Sequence, residues 1–168
     1  CNAGPHIVAS NCVFGDAGLL GAYLFAGGEY HFTNCNFVNY WAGSRGGPAL
    51  AVDNNWEYEG TTFIRDVVNS EFNNCVVYGT IEDEFELDSL PTGTFQCNFR
   101  HCYLRRNEPY TYPDFLNIIW TGNPLFFDVA ERDFHIDAAS PLRDWGTGSV
   151  IYPLVDIEGV NRDANPDV

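Results

Sequence analysis

The stretch Tyr30-His31-Phe32-Thr33-Asn34-Cys35-Asn36-Phe37 decides the fold of this chain. Its first half alternates with the period of two that is typical of a β-strand, and an Asn-Cys-x-apolar motif follows directly. The same motif occurs at residues 11–14 and 74–77, and residues 101–104 carry a weaker copy in which histidine replaces asparagine. The sequence therefore contains an internal repeat, and repeats of this kind indicate a solenoid.

The spacing of the motifs indicates the size of the repeating unit. The motif cysteines, Cys12, Cys35, Cys75 and Cys102, are separated by 23, 40 and 27 residues, and an alternating strand precedes each of them. A unit of this size made of short strands cannot cover its own apolar face, so it has to stack on its neighbours. Neither a leucine ladder nor long helical periodicity is present. We therefore predict an all-β, right-handed parallel β-helix with an insertion or an enlarged coil in the longest interval.

Further strands and loops complete each predicted coil. Residues 19–25 and 49–52 are predicted to be inward-facing walls, and residues 84–88 a further strand. The loops are rich in glycine, asparagine, proline and aromatic residues and are expected to project from the solenoid; they are residues 40–48, 53–62 and 107–113.

Aromatic side chains in these loops are the candidate ligand-binding residues. They are Trp41, Trp56, Tyr58, Tyr110 and Tyr112. Flat rings on an elongated β surface can stack on sugar rings, whereas the alternative is that they cover core edges or pack beneath the loops.

The last third of the chain departs from the repeat. It contains Asn123-Pro124-Leu125-Phe126, Asp133-Phe134-His135-Ile136, Ser140-Pro141, Gly146, Asp156, Gly159, Arg162 and Pro166-Asp167-Val168. With the upstream Asn-Cys repeats, these residues resemble the C-terminal region of bacterial surface β-helix proteins of the pectate-lyase-like superfamily, including those labelled choice-of-anchor Q domains. The resemblance covers essentially the whole chain.

This resemblance implies how the chain is organised. Residues 1–121 would form parallel β-helix coils, and residues 122–168 would be a closing segment that caps the open end of the same domain. Leu142-Arg143-Asp144 departs from the family pattern, which has an apolar residue, isoleucine and aspartate there. Because the sequence begins in mid-repeat, we expect further coils before Cys1.

The six cysteines allow a disulfide framework if the protein is secreted. Stacking would place the motif cysteines about 4.8 Å apart with parallel side-chain vectors, whereas a disulfide needs converging Cβ atoms about 3.8 Å apart. We therefore expect a ladder of buried free thiols at Cys12, Cys35, Cys75 and Cys102.

The asparagines before these cysteines are expected to be structural. Asn11, Asn34 and Asn74 would stack at the turn between two strands, with their amides hydrogen-bonded to one another and to the backbone. His101 replaces the amide in the final coil.

Charge excludes one class of partner. The formal net charge is −15, and all eight basic residues are arginine. Repulsion from phosphate therefore disfavours nucleic acid, whereas Ca²⁺ or a neutral glycan remains compatible. No apolar run approaches the length of about 20 residues that a membrane helix needs, so no transmembrane segment is predicted in the visible chain.

Catalytic and metal sites are weakly indicated. The carboxylates at positions 66, 71, 82–84, 86 and 88 form no recognisable acid–base pair and are expected to make a solvated acidic face. A pectate-type lyase would need calcium and a base, for which only Arg65 and Arg100 are candidates. We predict no cofactor and no metal, although structural calcium could bind at Asp156, Glu158 and Asp163 or at Asp53, Asn54 and Asn55. His31, His101 and His135 lie on strand patterns without an identifiable catalytic partner.

The sequence leads to one functional hypothesis and one alternative. The preferred hypothesis is a non-catalytic, secreted or cell-surface module associated with the bacterial outer membrane. It would act as a stalk or as a binding platform for a glycan or an envelope protein. The alternative is a polysaccharide lyase or glycoside hydrolase with a cleft on the β-helix face.

Overall fold

The computed structural model describes residues 4–148, 153–163 and 165–168. These residues form β-strands and contain no helix, which confirms the all-β prediction; accordingly, none of them belongs to a helix that could cross a membrane. The strands are β1 (His6–Ser10), β2 (Val13–Gly15), β3 (Ala22–Leu24), β4 (Glu29–Thr33), β5 (Asn36–Asn39), β6 (Leu50–Asp53), β7 (Asn55–Tyr58), β8 (Thr61–Ile64), β9 (Val67–Asn73), β10 (Val76–Gly79), β11 (Phe85–Asp88), β12 (Phe95–Leu104), β13 (Phe115–Ile119), β14 (Phe126–Asp128) and β15 (Asp133–Ile136).

Three parallel ladders organise these strands. Ladder one is β1-β4-β9-β12, ladder two is β2-β5-β10-β12, and ladder three is β3-β6-β11. The long strand β12 belongs to the first two ladders, and β13 pairs with it. Each pass of the chain through the ladders is a rung: β1–β3 is the first, β4–β6 the second and β9–β11 the third. These parallel sheets are consistent with a β-helix.

The longest interval between motifs contains an insertion, which is one of the two possibilities that the spacing predicts. Strands β7 and β8 form an antiparallel hairpin between the second and third rungs. Its turn, Glu59-Gly60, has positive φ angles of 50° and 72°, the conformation that two-residue hairpin turns prefer. Residues 53–62, expected to be an irregular loop, are therefore largely this hairpin.

A bend in the left-handed region separates ladder one from ladder two in every rung. The residues at the bend have φ angles of 52° to 56°, and they are Asn11, Asn34, Asn74, His101 and Asn117. Asparagine tolerates this region better than most residues because its short polar side chain can bond locally. The repeated asparagine is therefore a backbone requirement, and Asn117 extends the row beyond the motifs visible in the sequence.

The cysteines after these bends are free thiols that stack in the interior. Cys12 is partly buried, and Cys35, Cys75 and Cys102 are fully buried. The Cys102 thiol donates to the carbonyl of Arg100 and to that of Phe72 in the rung before, both at 3.3 Å. Burial raises the pKa of the Cys35 thiol to about 11, so this thiol stays protonated and unreactive at neutral pH. Cys1 lies outside the described residues.

Stacked phenylalanines fill the core beside the thiols. Phe32, Phe72, Phe99 and Phe115 occupy matching positions in successive rungs. Phe32 and Phe72 stack at 5.1 Å between ring centroids, and Phe72 and Phe99 at 4.5 Å. In-register pairing thus places like residues over like, which buries the apolar face of each rung on its neighbours.

The described residues of the closing segment, which spans positions 122–168, pack along the side of the stack. The sequence predicts a cap over the open end, but the described residues of this segment contact the stack from the bend at Asn11 to the bend at His101 in β12. They cover an apolar strip on the outer face of ladder two, formed by Val38, Val76, Tyr78 and Tyr103. The covering side chains are Phe126, Phe134, Ile136, Leu142 and Val168. Strands β5 and β10 of ladder two are therefore largely buried on both faces, whereas Val13 of β2 stays 46% exposed.

The same segment bonds to the side chains of the bend residues. Its backbone hydrogen-bonds to three of them: Trp145 to His101 at 2.7 Å, Thr147 to Asn74 at 2.9 and 3.2 Å, and Val155 to Asn11 at 2.8 Å. The amide of Asn34 has no hydrogen-bond partner among the described residues. The expected bonds to backbone are therefore present at Asn11 and Asn74. Among the described bend residues, the bond between two side chains joins Asn117 to His101 at 2.8 Å, and it involves none of the three motif asparagines.

A buried ion pair fastens the loop of residues 40–48 to the stack. Both guanidinium Nη atoms of Arg45 donate to the Glu84 carboxylate at 2.6 Å, and neither side chain is more than 4% exposed. Glu84 also accepts from the backbone N–H groups of Ala49 and Ile81. The prediction that Glu84 belongs to a solvated acidic face is wrong, because its carboxylate is fully desolvated and paired.

We expect Arg45→Met to lower the free energy of unfolding by about 3–5 kcal/mol, because it leaves the buried Glu84 carboxylate without its counter-charge. Urea unfolding followed by circular dichroism measures the change. Arg100→Met is the matched control: Arg100 lies 3.9 Å from Glu71, both side chains are about 40% exposed, and its loss should cost at most about 1 kcal/mol. Equal effects of the two substitutions would contradict the assigned role of Glu84.

The left-handed bend at Asn34 leads to a second prediction, which concerns the residue type at that position. Asn34→Ala and Asn34→Gly remove the same amide, but only alanine is strained at positive φ. The alanine variant should therefore be about 1 kcal/mol less stable than the glycine variant, as measured by urea unfolding. The same pair of substitutions at Asn36, on a strand, should show no preference for glycine; a similar preference there would argue against the bend as its cause.

Candidate binding surface

The outer face of ladder three carries aromatic and acidic side chains side by side. Strand alternation points Leu50 and Val52 of β6 into the core, and it points Ala51 and Asp53 outward. In β11 the outward residues are Glu86 and Asp88, and in β3 the outward residue is Tyr23. Tyr23, Ala51 and Glu86 are in register across the three strands, and Asp53 pairs with Asp88.

Two stacked rings form the aromatic part of this face. Tyr23 and Phe25 lie 5.0 Å apart between ring centroids, with their planes inclined by 28°, and they are 45% and 48% exposed. The Tyr23 hydroxyl donates to the Asp53 carboxylate at 2.5 Å. Burial, reinforced by Asp53, raises the pKa of Tyr23 to about 12, so the hydroxyl keeps its proton. The rings are thus held in place while one side stays open to solvent.

Three carboxylates form the polar part. Glu86 and Asp88 are exposed, whereas Asp53 is only 8% exposed. Burial raises the pKa of Asp53 above its ordinary value, and the negative charges of Asp88 and Glu86 add to the increase, which the Tyr23 hydroxyl opposes. Asn55 donates its amide N–H to Asp88 at 3.3 Å. This arrangement offers a flat apolar platform beside hydrogen-bond acceptors.

Tyr23 and Phe25 were not among the aromatic residues singled out by sequence. Residues 19–25 were expected to be an inward wall, but the strand is only Ala22–Leu24 and Tyr23 faces outward. Ala22 and Leu24 contact the core, so alternation along the strand places Tyr23 outside. This alternation is the sequence pattern that indicates an outward Tyr23. The apolar run that surrounds them conceals this alternation.

The five predicted aromatic residues lie on three separate segments. Trp41 is 46% exposed in the loop after β5. Trp56 and Tyr58 lie on the β7–β8 hairpin, where the Trp56 ring stacks on Phe63 at 5.1 Å and the Arg65 guanidinium lies 5.5 Å from it. Tyr58 is 62% exposed.

The remaining two, Tyr110 and Tyr112, follow β12. The Tyr110 hydroxyl accepts from the backbone N–H of Leu87 at 3.1 Å, and the Arg106 guanidinium packs over its ring at 4.2 Å. Tyr110 therefore covers the edge of β11. This is the alternative role given above for the loop aromatic residues, in which they cover core edges and do not bind a ligand. Tyr112 is 44% exposed, and its ring lies 5.8 Å from that of Tyr110. Ligand contact by these five residues stays a prediction.

Most of the side chains suggested as calcium ligands are bonded to other groups of the protein. The Asp156 carboxylate accepts from the backbone N–H groups of Glu158 and Val160, while the Glu158 carboxylate pairs with His135. At the second site, Asp53 accepts from Tyr23, and the Asn54 amide bonds twice to the backbone of Leu90. Calcium binding at either set of residues stays a prediction.

The two candidate bases for a lyase are also engaged in packing and pairing. Arg65 lies over Trp56, and Arg100 lies near Glu71. Neither belongs to the face of Tyr23 and Asp53, which lies on a different ladder. The described residues thus offer no cluster in which an arginine base meets a set of calcium ligands.

Comparison with known proteins adds no further identification. No protein-family model matches the chain, and no curated protein or solved structure shows significant similarity to it. The candidate surface therefore has to be judged on its own geometry.

We expect Asp53→Asn to raise the unfolding temperature at neutral pH. Because the folded-state pKa of Asp53 is raised, the contribution of its carboxyl to stability is present at low pH and is lost as pH rises through that pKa. The advantage of the amide should therefore disappear below the ordinary carboxyl pKa of about 3.9. Thermal unfolding between pH 3.5 and 8 tests this expectation. Glu131→Gln, at an exposed position, controls for the loss of one negative charge; an equal stabilisation by it would assign the effect to net charge.

Proposed function

We propose that this chain is part of a right-handed parallel β-helix that presents the outer face of ladder three as a non-catalytic glycan-binding platform. The observation that carries the proposal is the stacked Tyr23–Phe25 pair beside Asp53, Glu86 and Asp88. Aromatic rings bind the apolar faces of sugar rings, and carboxylates accept hydrogen bonds from sugar hydroxyls. A single strand-built face therefore offers both halves of carbohydrate recognition.

Charge favours a neutral glycan as the ligand. The net charge of −15 and the three carboxylates on this face would repel a polyuronate or a sulfated chain. A neutral polysaccharide meets no such penalty, and its hydroxyls can donate to Glu86 and Asp88. This preference also argues against a lyase, which needs an acidic sugar.

The resemblance to bacterial surface β-helix proteins supports a location for this platform. We propose that the protein is secreted or held at the bacterial cell surface, associated with the outer membrane, where a stalk that binds glycans would meet its ligand. Residues 1–121 would supply the coils, and residues 122–168 would be the closing segment of the same domain. The same outward-facing surface could instead bind an envelope protein.

A glycoside hydrolase is the second candidate, and one observation favours it. Asp53 and Asp88 are in register on neighbouring strands, and the pKa of Asp53 is raised by burial. A protonated acid next to an ionised carboxylate is the arrangement that retaining glycosidases use, with the carboxyl groups about 5–5.5 Å apart. Against this role, Asp53 is 8% exposed beneath Tyr23 and has little access to a substrate.

Glycan binding is tested by affinity electrophoresis of the purified chain against a panel of neutral and acidic polysaccharides, with and without Ca²⁺. Phe25→Ala should weaken binding of a neutral glycan about fivefold, because one stacking contact is worth about 1 kcal/mol. This variant leaves the Tyr23–Asp53 hydrogen bond in place. A loss of affinity would therefore report the missing ring–sugar contact and not a displaced Tyr23. Tyr58→Ala tests the other candidate surface, on the hairpin. Phe127→Ala removes a ring that is 74% exposed on β14; it is the matched control and should bind like the unmodified chain.

The other outcomes separate the alternatives. Weakening by Tyr58→Ala but not by Phe25→Ala would move the site to the hairpin and overturn the ladder-three assignment. Release of reducing ends, abolished by Asp88→Asn, would establish the hydrolase. Retention of an envelope protein with no glycan bound would replace the glycan with a protein partner.

A further inference from the structure

A second chemical cluster lies on the outer face of ladder one. His6 is on β1, and Glu29 and His31 are on β4. Parallel pairing places His6 opposite Glu29, and strand alternation places His31 on the same side as Glu29. One ligand atom from each of the three residues lies within 4.8 Å of the other two. Residues that are 25 positions apart in the sequence are thereby brought to one point.

Contacts within the cluster orient its members. The His31 Nε2 atom lies 2.9 Å from the Glu29 carboxylate, and the His6 and His31 rings meet edge to face at 5.7 Å. The side chains of Glu29 and His31 are about one-third exposed, and His6 is exposed. Two imidazoles and one carboxylate therefore face solvent together.

The donor set indicates which ion would fit. Two histidines and one carboxylate are a common three-ligand zinc set, which leaves a fourth position open for water or another ligand. Calcium and magnesium prefer oxygen ligands, so the two nitrogens disfavour them. We propose that His6, Glu29 and His31 form a binding site for a divalent transition-metal ion, with Zn²⁺ as the occupant. Zinc ligands lie about 2.0–2.2 Å from the ion, so binding would draw the three ligand atoms, now within 4.8 Å of one another, closer together.

Another histidine provides a built-in comparison. His135 also has two carboxylate neighbours, but its Nδ1 atom bonds to Asp133 at 2.5 Å and its Nε2 atom to Glu158 at 3.2 Å. Because each ring nitrogen of His135 has its own carboxylate partner, Asp133 and Glu158 lie on different sides of the imidazole. These three residues therefore do not converge on a point where an ion could bind. Among the described histidines, cysteines and carboxylates, only His6, Glu29 and His31 converge as a group of three.

The position of the site gives the ion a mechanical role. β1 is the edge of ladder one, and β4 belongs to the next rung. An ion held by His6 on one strand and by Glu29 and His31 on the other would cross-link the first rung to the second. Because the folded state binds the ion and the unfolded chain lacks the preformed site, metal should raise the unfolding temperature.

The test uses the untagged chain after treatment with a chelator, titrated with ZnCl₂ by calorimetry. We expect one ion per chain and a rise in unfolding temperature that EDTA reverses. Co²⁺ should give the visible absorption bands of a tetrahedral site. His6→Gln and His31→Gln should each weaken zinc binding at least tenfold, while His135→Gln should bind like the unmodified chain.

Two results would overturn the site. Unchanged zinc affinity in both His6→Gln and His31→Gln would assign any binding to other groups of the chain. Loss of affinity in His135→Gln alone would move it to the closing segment. Far-ultraviolet circular dichroism of each variant, which should match that of the unmodified chain, ensures that a loss of affinity reports the ligand and not unfolding.

Discussion

A left-handed backbone bend at the same point of each rung is the constraint on which the rest of the structure depends. Asn11, Asn34, Asn74, His101 and Asn117 all adopt it, with nearly equal φ angles. Because the bend recurs at matching positions, the strands before and after it stay in step from rung to rung. The thiol row and the phenylalanine row follow from that register, since a slip of one residue would turn every core side chain outward.

The bend also determines how the closing segment docks. Side chains of the bend residues project beside ladder two, where they offer donors and acceptors to a backbone that passes along the stack. The apolar outer face of ladder two supplies the remaining contact through Leu142 and its neighbours. Strands β5 and β10 of ladder two therefore lie between the core and the closing segment. The outer faces of ladders one and three remain more accessible.

These two faces differ in chemistry because different residue types occupy their outward positions. Ladder three combines Tyr23 and Phe25 with carboxylates, which suits a sugar ring. Ladder one combines His6 and His31 with Glu29, which suits a transition metal. In both cases the cooperating groups come from neighbouring rungs, so neither cluster exists without parallel, in-register pairing. A scaffold that is stabilised by repetition thus supports sites at positions where the repeat varies.

The sequence by itself determined the all-β class, the repeating unit, the insertion and the row of free thiols, because Asn-Cys-x-apolar recurs locally and alternation has a period of two. It also identified Asn34 and its equivalents as structural, although not their bonds to the closing segment. Only the tertiary structure decided that Glu84 pairs with Arg45 in the interior, that Tyr23 faces outward, and that His6 meets His31. The physical reason is that these partners lie 25 to 39 residues apart or depend on which face of a short strand is buried, and no local pattern encodes either.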